Sequence, residues 1–489
     1  MNIPIAPDWS ELLDLPLDRA SVVPVFRQIY LGLRRLILAG AIPAGARLPP
    51  SRRLAERLAV SRTSVVGVYE QLLAEGYVTG RVGAGTFVAA GLREPPEPAP
   101  TSAPPRPHPL PAPALRLAAL MPDLAQFGPA PFNTGRCGMD ARSLAEWRGL
   151  IARHMRRADP DLLGYTDPRG NPRLREAVAR YLRTSRAVHC EPEQILILSG
   201  TQQGMDLLVK VLLEPGDAVW VEDPCYPALL GAMRAARARV VPVPVDAAGM
   251  QVARGIAAAP RARVAYVTPS HQAPLGVVLS MARRLELLAW AREEGAWIIE
   301  DDYDSEFRYA GRPLASLQGI DGEEGRVIYL GSFSKVLFPG LRLGYAVVPR
   351  PLVPAFTAAR YLADRQPPGL MEAVVADFLE EGHFSAHLRR MRAEYRTARD
   401  LLAEALRERL GGRLDITLPD QGMQMLARLP AGESDMALSQ RGAQAGLMLR
   451  PASAYFLEAE PLNALMLGFT GHAPEALRNG VEALRALMG

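Results

Sequence analysis

A proline-rich stretch around residue 100 limits what this chain can fold into more than any other feature of its sequence. Ten prolines stand between residues 91 and 113, and proline cannot donate the backbone hydrogen bond that helices and sheets require. This composition favours an extended polyproline conformation and cannot close a hydrophobic core. Because 489 residues are also too many for one ordinary domain, we predict an N-terminal domain at residues 1–90, a linker at 91–128 and a larger domain at 129–489.

The composition narrows the class of protein further. Hydrophobic residues make up 48% of the chain, but the apolar runs are short and interrupted by charges, which argues against a membrane span. The start, Met1-Asn2-Ile3-Pro4, lacks the basic and apolar segments of a signal peptide. The cysteines, Cys137, Cys190 and Cys225, are an odd number without metal-ligand spacing, which indicates reduced thiols. We expect a cytosolic protein without a metal site.

Positive charge is concentrated in the N-terminal part of the chain. Residues 19–90 carry ten arginines and three glutamates, whereas residues 1–18 carry four acidic residues and no basic one. The net charge of the whole chain is only +4. A small basic domain is typical of a polyanion partner such as DNA, although an ordinary solvated basic face would carry the same charge.

The basic segment has the pattern of a helix-turn-helix. Apolar residues at helical spacing predict a helix over Val25–Leu38, and residues 48–72 predict two further helices joined by a tight turn. Ser51 and Ser61 are expected to cap these two helices. The first turn of the second helix is where such a motif contacts bases, and it exposes Arg62, Thr63 and Ser64.

A hairpin follows the predicted second helix. Two apolar strands flank a basic turn rich in glycine, which permits the positive φ of a tight turn. The runs Leu48-Pro49-Pro50-Ser51-Arg52-Arg53-Leu54-Ala55 and Gly83-Ala84-Gly85-Thr86-Phe87-Val88 resemble the GntR-type winged helix. The resemblance implies a double-stranded DNA operator as partner, unless the motif serves packing alone. The expected DNA contacts are Arg52, Arg53, Ser61, Arg62, Thr63, Ser64, Arg81, Gly83 and Gly85.

After the linker, apolar runs alternate with helical segments. This alternation predicts an α/β domain with a mainly parallel sheet, whose ligands gather at the carboxyl ends of the strands. The predicted strands are Gln194–Leu198, Ala218–Glu222, Arg239–Val245, Val264–Thr268, Trp297–Glu300 and Val327–Leu330.

Three motifs follow predicted strands. Ser199–Gly204 opens a helix and offers N–H groups to a phosphate, but this signal alone is weak. Glu222–Pro227 offers the ring of Tyr226 to stack on a planar ligand. Glu300–Arg308 places a carboxylate at a strand end, where it would keep a pyridine nitrogen protonated, although the same acidic residues would also cap a following helix.

Lysine is almost absent from the chain. Lys210 and Lys335 are the two lysines among 56 basic residues, so a lysine that remains suggests a role that arginine cannot fill. A primary amine that loses its proton can form an imine, and a guanidinium cannot. Lys210 lies in a helical pattern and is expected to be a surface residue, whereas Lys335 lies in Gly331–Arg342, between serines and an arginine.

Together these parts resemble a pyridoxal phosphate site. From about Phe132 to the end the chain resembles fold-type-I aminotransferases, and Ser270-His271-Gln272, Glu300–Arg308 and Gly382-His383-Phe384 are similar to the MocR type of GntR regulator. The resemblance implies a smaller α+β subdomain at about 365–489 and a homodimer with shared sites. It makes Lys335 the Schiff-base lysine and assigns Asp301 to the ring nitrogen, Tyr303 to the phenolic oxygen, Tyr226 to the ring face, Tyr165 to the phosphate of the neighbouring subunit, and Gly200, Thr201, Gln202, Ser332, Ser334 and Arg342 to the phosphate.

The choice between Asp301 and Asp302 is a question of register, and Asp301 is preferred because it places Tyr303 correctly. Two departures from aminotransferases bear on function. Ala273 stands where they carry an asparagine, and Met466 stands where they carry the arginine that binds the substrate carboxylate. Arg450, on the preceding strand, is a candidate replacement for that arginine or a solvated surface residue.

We therefore expect a DNA-binding regulator that senses an amine, an amino acid or pyridoxal phosphate itself. A working aminotransferase with an added DNA-binding domain is the alternative, and an intact asparagine and arginine would have favoured it. A sensor of the cofactor alone is a second alternative, in which free pyridoxal phosphate would by itself change DNA binding.

Overall fold

The computed structural model describes residues 15–81, 84–91, 109–120, 128–156, 160–311, 314–322 and 325–489. The chain divides into two compact units, Met1–Leu110 and Pro111–Gly489. Within the described ranges, no helix is long and apolar enough to cross a membrane. Most of the predicted linker, residues 92–108 and 121–127, lies outside the described residues.

The N-terminal unit is a winged helix, as predicted. Helices α1 and α3 pack against each other, and their buried residues Ile29, Leu33, Val65, Val68 and Leu72 form the centre of its core. The two strands pair antiparallel, with Val78 opposite Val88. The elements are α1 (Val25–Leu38), α2 (Ser51–Leu58), α3 (Arg62–Ala74), β1 (Val78–Arg81) and β2 (Gly85–Val88).

The caps of the two predicted DNA-contacting helices differ. The Ser61 hydroxyl accepts the backbone N–H of Ser64 at 3.1 Å, which confirms it as the cap of α3. The prediction that Ser51 caps α2 is wrong. Pro50 occupies that position with extended backbone angles, and Ser51 is the first helical residue. Proline has a fixed φ and suits the boundary of a helix.

The described part of the predicted linker contains a short helix, α4 (Ala112–Ala118). This helix overlaps the last residues of the proline-rich segment, residues 91–113, that was predicted to be extended. Its sequence, Ala-Pro-Ala-Leu-Arg-Leu-Ala, places a proline in the first turn, where the missing N–H has no partner to lose. The alanines and leucines that follow have high helix propensity. At this end of the proline-rich segment, helix propensity therefore outweighs the tendency of the prolines to be extended.

The larger unit is built on a sheet with the order β3-β10-β9-β8-β7-β4-β5-β6. All six predicted strands are present, and β4, β5, β7, β8 and β9 run parallel to their neighbours in this set. The sequence analysis missed β10, which lies antiparallel between β3 and β9, and the short β6. The strands are β3 (Ile195–Leu198), β4 (Ala218–Asp223), β5 (Arg239–Asp246), β6 (Gly249–Met250), β7 (Val264–Val267), β8 (Trp297–Asp302), β9 (Val327–Ser332) and β10 (Gly344–Val347).

Helices cover this sheet on both faces, because two separate apolar clusters pack against its alternating side chains. The described helices of this part are α5 (Ala141–Arg156), α6 (Pro160–Leu163), α7 (Pro172–Arg186), α8 (Thr201–Leu212), α9 (Pro227–Ala235), α10 (Val252–Ala258), α11 (Met281–Glu294), α12 (Leu317–Asp321), α13 (Phe333–Val336), α14 (Val353–Asp364) and α15 (Gly369–Glu380).

A second, antiparallel sheet with the order β11-β12-β14-β13 completes the unit. Phe132, early in the unit, pairs with Gly468 at the end of β14, so the start of the unit returns to this small sheet. The remaining elements are α16 (His383–Leu410), β11 (Asp415–Thr417), β12 (Gln424–Arg428), α17 (Asp435–Gln444), β13 (Arg450–Pro451), β14 (Ala464–Gly468) and α18 (Pro474–Met488).

The carboxyl end of β4 is tied to the segment that joins β13 to β14. The Asp223 carboxylate accepts the backbone N–H groups of Leu457, Glu458 and Ala459, each at 2.8 Å. The N–H of Cys225 donates to the carbonyl of Tyr455 at 2.9 Å. These bonds hold the small sheet against the strand ends of the main sheet, where the predicted site residues lie.

Candidate cofactor site and nucleic-acid interface

Lys335 lies on α13, directly after β9. It is half-buried, and its ammonium makes no hydrogen bond or ion pair with any residue in the described ranges. A Cβ placed on Gly135 would lie 4.0 Å from Nζ of Lys335, so the chain at residue 135 passes close to this amine. Lys210 is different, since it is exposed and its Nζ lies 2.5 Å from the Asp206 carboxylate.

Asp301 lies at the end of β8 and is buried. Its Oδ2 accepts the hydroxyl of Tyr266 at 2.5 Å, and its Oδ1 is buried without a hydrogen-bond partner. Burial, against the hydrogen bond from Tyr266 and together with the charges of Asp302 and Asp304, raises the pKa of this carboxyl to about 7. Asp301 therefore has one oxygen free for a cationic or N–H-bearing group.

Asp302 points to the other face of the sheet, as successive residues of a strand do. Its Oδ2 accepts Nε of Arg186 at 2.8 Å and the hydroxyl of Tyr329 at 2.6 Å, in a buried ion pair. Its Oδ1, like that of Asp301, has no hydrogen-bond partner. Both aspartates belong to β8, and no helix follows them among the residues up to Gly311. The alternative that they cap a helix is wrong.

An anion cradle lies at the start of α8. Gly200 precedes the helix with a φ of 98°, and a Cβ there would lie 3.5 Å from the Arg342 guanidinium. Nη2 of Arg342 donates to the carbonyl of Ser199 at 2.9 Å, which holds the guanidinium beside the helix start. The first N–H groups of a helix have no intrahelical acceptor and favour negative charge. Thr201 and Gln202 belong to this first turn.

Some of the other residues predicted to bind the phosphate already have hydrogen-bond partners within the protein. The Ser332 hydroxyl is buried and accepts the backbone N–H of Ser334 at 3.0 Å, as the cap of α13. The side-chain amide of Gln202 donates to the carbonyl of Ala228 at 3.2 Å. The side chain of Gln202 therefore has a protein partner, and its backbone N–H belongs to the first turn of α8.

Tyr303 lies beside a buried His271–Asp304 pair that the sequence analysis missed. Its hydroxyl lies 3.2 Å from Nδ1 of His271, and that nitrogen lies 2.9 Å from the Asp304 carboxylate. Burial, followed by the charges of Asp304 and Asp301, raises the pKa of Tyr303 well above its usual value. The phenol stays protonated, so its hydroxyl can donate. His271 lies far from Asp304 in sequence, so spacing gave no signal.

Tyr226 lies at the start of α9 and is 42% exposed. Desolvation raises the pKa of its phenol, and four charged or phenolic neighbours also act on that pKa. These neighbours are Tyr455, Asp301, Arg450 and Arg342. The ring therefore stands between the Asp301 carboxylate, the anion cradle and the small sheet.

Tyr165 does not belong to this cluster within one chain. It is 82% exposed, and the Arg365 guanidinium lies 4.5 Å from the centre of its ring. Its predicted role requires a second copy of the chain.

Most of the described residues that are predicted to contact DNA are exposed at the surface of the winged helix. Arg52, Arg53, Arg62 and Thr63 are exposed, whereas the hydroxyl of Ser64 lies 2.8 Å from that of Ser61. The guanidinium of Arg81 lies 4.9 Å from the centre of the Phe87 ring, so its side chain packs on the wing. Gly83 lies outside the described residues.

Arg47 is a candidate DNA contact that the sequence analysis missed. Its backbone pairs with that of Phe87 in the wing, and its Nε lies 2.9 Å from where a Cβ on Gly85 would stand. Gly85 has a φ of 111°, so this close approach needs glycine on both grounds. A single arginine in a loop carries no pattern that sequence reasoning could use.

Comparison with known families defines the class of protein. Residues 26–88 match the family "Bacterial regulatory proteins, gntR family", and residues 132–484 match "Aminotransferase class I and II". These matches define a DNA-binding regulator whose second domain has the aminotransferase fold. The chain belongs to the MocR-type GntR regulators, which join these two domains.

Two relatives extend over nearly the whole chain. A probable rhizopine catabolism regulatory protein, MocR, from Rhizobium meliloti is 40% identical and the match covers 96% of this chain and 95% of the relative. The pyridoxine biosynthesis transcriptional regulator PdxR from Corynebacterium glutamicum is 31% identical, with 96% and 97% covered. These names refer to different pathways, so the family alone does not identify what this chain senses.

Solved aminotransferases share the fold of the larger unit. The multiple substrate aminotransferase from Thermococcus profundus has a TM-score of 0.67 at 27% identity, covering 77% of this chain and 94% of its own. The α-aminoadipate aminotransferase LysN from Thermus thermophilus, crystallised with N-(5'-phosphopyridoxyl)-L-leucine, has a TM-score of 0.66 at 30% identity, covering 78% and 95%.

Proposed function

We propose that this protein binds pyridoxal phosphate in its aminotransferase-like domain and transmits the state of that site to an operator-bound winged helix. One observation supports this most strongly. Oδ1 of Asp301 is buried without a partner at the end of β8, and a buried acceptor left unsatisfied is costly. The protonated pyridine nitrogen of the cofactor would supply the missing donor.

The other described residues fit the same group. Lys335 offers an unpaired amine, Tyr303 a protonated hydroxyl for the phenolic oxygen, and Tyr226 an aromatic face. When bound, pyridoxal phosphate supplies an aldehyde that condenses with amines and a ring that withdraws electrons. The residues proposed to bind its phosphate are Gly200, Thr201, Gln202, Ser332, Ser334 and Arg342.

Asp301 controls the proton on the ring nitrogen. Without a ligand its pKa of about 7 leaves it partly protonated at neutral pH. A cation beside Oδ1 lowers that pKa, so the carboxyl holds the ring nitrogen in its protonated form. Tyr266 fixes the carboxyl through Oδ2, and Nδ1 of His271, which Asp304 holds at 2.9 Å, lies 3.2 Å from the Tyr303 hydroxyl. These chain residues therefore orient both ends of the ring.

The substitutions at Ala273 and Met466 favour sensing over turnover. Neither side chain can donate a hydrogen bond to a ligand, and loss of oriented contacts reduces the rate of a reaction that depends on positioning. We expect transamination to be negligible. An active aminotransferase remains the alternative because the residues that hold the cofactor are present, and the name of PdxR supports sensing of the cofactor itself as a second alternative.

The assembly proposed is a homodimer with shared sites. Tyr165 lies in an exposed apolar patch with Leu163, Tyr361 and Leu362, which are 68%, 47% and 82% exposed. Patches of this kind mark contact surfaces, and a second copy that covered it would place Tyr165 against the neighbouring chain. We also propose that the two domains span residues 1–90 and 129–489. A cytosolic location is proposed because the protein would meet its operator DNA there.

The test uses the purified full-length protein. Genomic fragments that it retains are sequenced, and binding to the enriched site is measured with no addition, with pyridoxal phosphate, and with pyridoxal phosphate plus a panel of amines. Specific binding that changes when the cofactor and an amine are present together supports the proposal. A response to the cofactor alone supports the cofactor sensor, and a protein that retains no specific fragment contradicts the proposed function.

A further inference from the structure

The helix that carries Lys335, α13, is a single turn. It spans Phe333–Val336, and its helical hydrogen bond runs from the N–H of Leu337 to the carbonyl of Phe333 at 2.8 Å. The last carbonyls of a helix have no intrahelical donor, and so short a helix is not stable alone. The position of Lys335 therefore depends on contacts that other parts of the chain make with this turn.

His387 makes such a contact at the end of the turn. Its Nε2 lies 3.0 Å from the carbonyl oxygen of Val336, the residue directly after Lys335. A carbonyl oxygen only accepts, so Nε2 carries a hydrogen and donates it. His387 belongs to α16 and is 0% exposed, so solvent does not compete for its N–H. The histidine thus joins α16 to the backbone beside the amine.

The other ring nitrogen of His387 is held by a buried polar cluster. Nδ1 lies 2.9 Å from the Ser143 hydroxyl, which lies 2.7 Å from the Asp140 carboxylate. Arg390 donates to both of these groups, from Nη2 to Ser143 at 2.7 Å and from Nε to Asp140 at 3.1 Å. Whichever neighbour receives the single hydroxyl hydrogen, Nε2 keeps its own. The cluster therefore fixes the ring with Nε2 toward α13.

This cluster is not a nucleophilic triad, although it contains a serine, a histidine and an acid. In a triad the histidine lies between the other two groups, whereas here Ser143 lies between Asp140 and His387. Ser143 is also 0% exposed, so no substrate reaches it. A buried imidazole costs free energy unless its nitrogens are hydrogen-bonded, and the bond that leads out of the cluster ends on the turn of Lys335.

We propose that His387 is a positioning residue for Lys335, which it holds in place through the backbone of Val336. The proposal rests on the proposed function, since it requires that the cofactor condenses with this lysine. In that condensation the amine nitrogen supplies the electron pair of the C=N bond, and the aldehyde oxygen leaves as water with the two amine hydrogens. A small displacement of the amine from the aldehyde carbon slows such a step strongly.

The test uses two phosphates and the cofactor-free, full-length protein. Pyridoxal phosphate condenses with Lys335 and forms the colour, whereas pyridoxine 5'-phosphate carries an alcohol instead of the aldehyde and only binds. His387→Asn keeps an amide beside Ser143 but brings no donor to Val336. We expect its colour to form about tenfold or more slowly, with the affinity for pyridoxine 5'-phosphate, measured by calorimetry, unchanged to within about threefold.

A conservative variant and a matched control accompany this substitution. His387→Gln places an amide N–H near the position of Nε2 and is expected to form the colour within about threefold of the normal rate. His383→Asn is the control, one turn earlier in α16, where the histidine contacts Glu146 and Glu381. It should keep both the rate and the affinity. Ser143→Ala leaves the donor in place but loosens the ring, so colour formation should slow by about three- to tenfold.

Colour formation at the normal rate in His387→Asn overturns the assignment of His387 and leaves the proposed cofactor function standing. If that variant does not fold, a normal rate in Ser143→Ala has the same consequence. An equal loss of pyridoxine 5'-phosphate affinity also overturns the assignment, because it would show a general structural role. An unaltered protein that takes up no pyridoxal phosphate removes the proposed function and this inference with it.

Discussion

The two units place their predicted functional residues in opposite environments. In the winged helix, Arg52, Arg53 and Arg62 are exposed, whereas in the larger unit Asp301, Asp302 and their partners are buried at the ends of strands. DNA binds at the protein surface through many separate contacts. Binding therefore tolerates the loss of a single side chain. A buried site depends on single groups whose charge and hydrogen bonds have no substitute. The comparison predicts that single substitutions in the larger unit abolish cofactor binding or change stability in a pH-dependent way. In the winged helix, single substitutions are expected to weaken DNA binding only in part.

The largest expected effect is that of Lys335→Ala. The purified protein is expected to be yellow with bound pyridoxal phosphate, and the variant to lose the colour completely because no other described amine lies at the site. Borohydride treatment of the unaltered protein, followed by peptide mapping, should place the cofactor on Lys335. Lys210→Ala is the matched control and should keep the colour. A labelled peptide that contains Lys210 would contradict the assignment.

Replacing Asp302 by asparagine is expected to destabilise the fold while the protein keeps its cofactor. The change leaves the buried Arg186 guanidinium without its counter-charge, which typically costs about 3 to 5 kcal/mol. Asp301→Asn is the paired variant, and it should weaken cofactor binding because an amide stabilises a protonated ring nitrogen far less than a carboxylate does. Urea unfolding and cofactor titration measure the two effects. If Asp302→Asn lost the cofactor and Asp301→Asn kept it, the roles would be reversed.

Asp301 should also make the cofactor-free protein less stable as pH rises. Its carboxyl has a pKa of about 7 in the fold, against 3.8 for an ordinary aspartate, so the folded chain holds the extra proton between these values. The free energy of unfolding therefore falls through this window as pH increases. Between about pH 5 and about pH 8 we expect Asp301→Asn to lose roughly 2 to 3 kcal/mol less than the unaltered protein. Parallel pH profiles of the two proteins would show that Asp301 is not the titrating group.

A smaller and graded effect is expected at the DNA interface. Arg62→Ala should weaken binding to the operator by about 1 to 3 kcal/mol and relax base preference at one position, because Arg62 begins the recognition helix. Arg35→Ala, which removes an exposed arginine from α1, is the control and should change specific binding much less. An equal loss on operator and random DNA would instead make Arg62 a phosphate contact.

The sequence predicted the parts that depend on local pattern. The winged helix and the six strands followed from apolar periodicity, and the cluster around Lys335 followed from motifs at strand ends. β10 was missed because an antiparallel strand inside the sheet has no distinguishing local signal. The partners of Asp302 and Tyr303 were also missed. Arg186 and His271 are distant in sequence, and only the packing of strands brings them to the site.

The two units also differ in what the sequence resolved about single residues. Exposed positions of the recognition helix follow from helix phase, so Arg62 and Thr63 were found at the surface as expected. In the buried site, spacing left both aspartates of β8 as candidates. Oδ1 of each aspartate is buried without a hydrogen-bond partner, so it is the ion pair of Asp302 with Arg186 that supports the proposal of Asp301 for the ring nitrogen.

The central claim is that the buried site and the exposed DNA surface are energetically coupled. Amino acid affinity is measured by equilibrium titration of the cofactor-loaded protein with and without operator DNA, and operator affinity with and without the amino acid. Coupling of about 1 to 3 kcal/mol should change both affinities by the same factor, roughly 5- to 150-fold, because linkage is reciprocal. The same samples should form no keto acid in repeated turnover. Equal affinities with and without operator, together with turnover on the order of 1 per second or faster, would contradict the account and establish an aminotransferase.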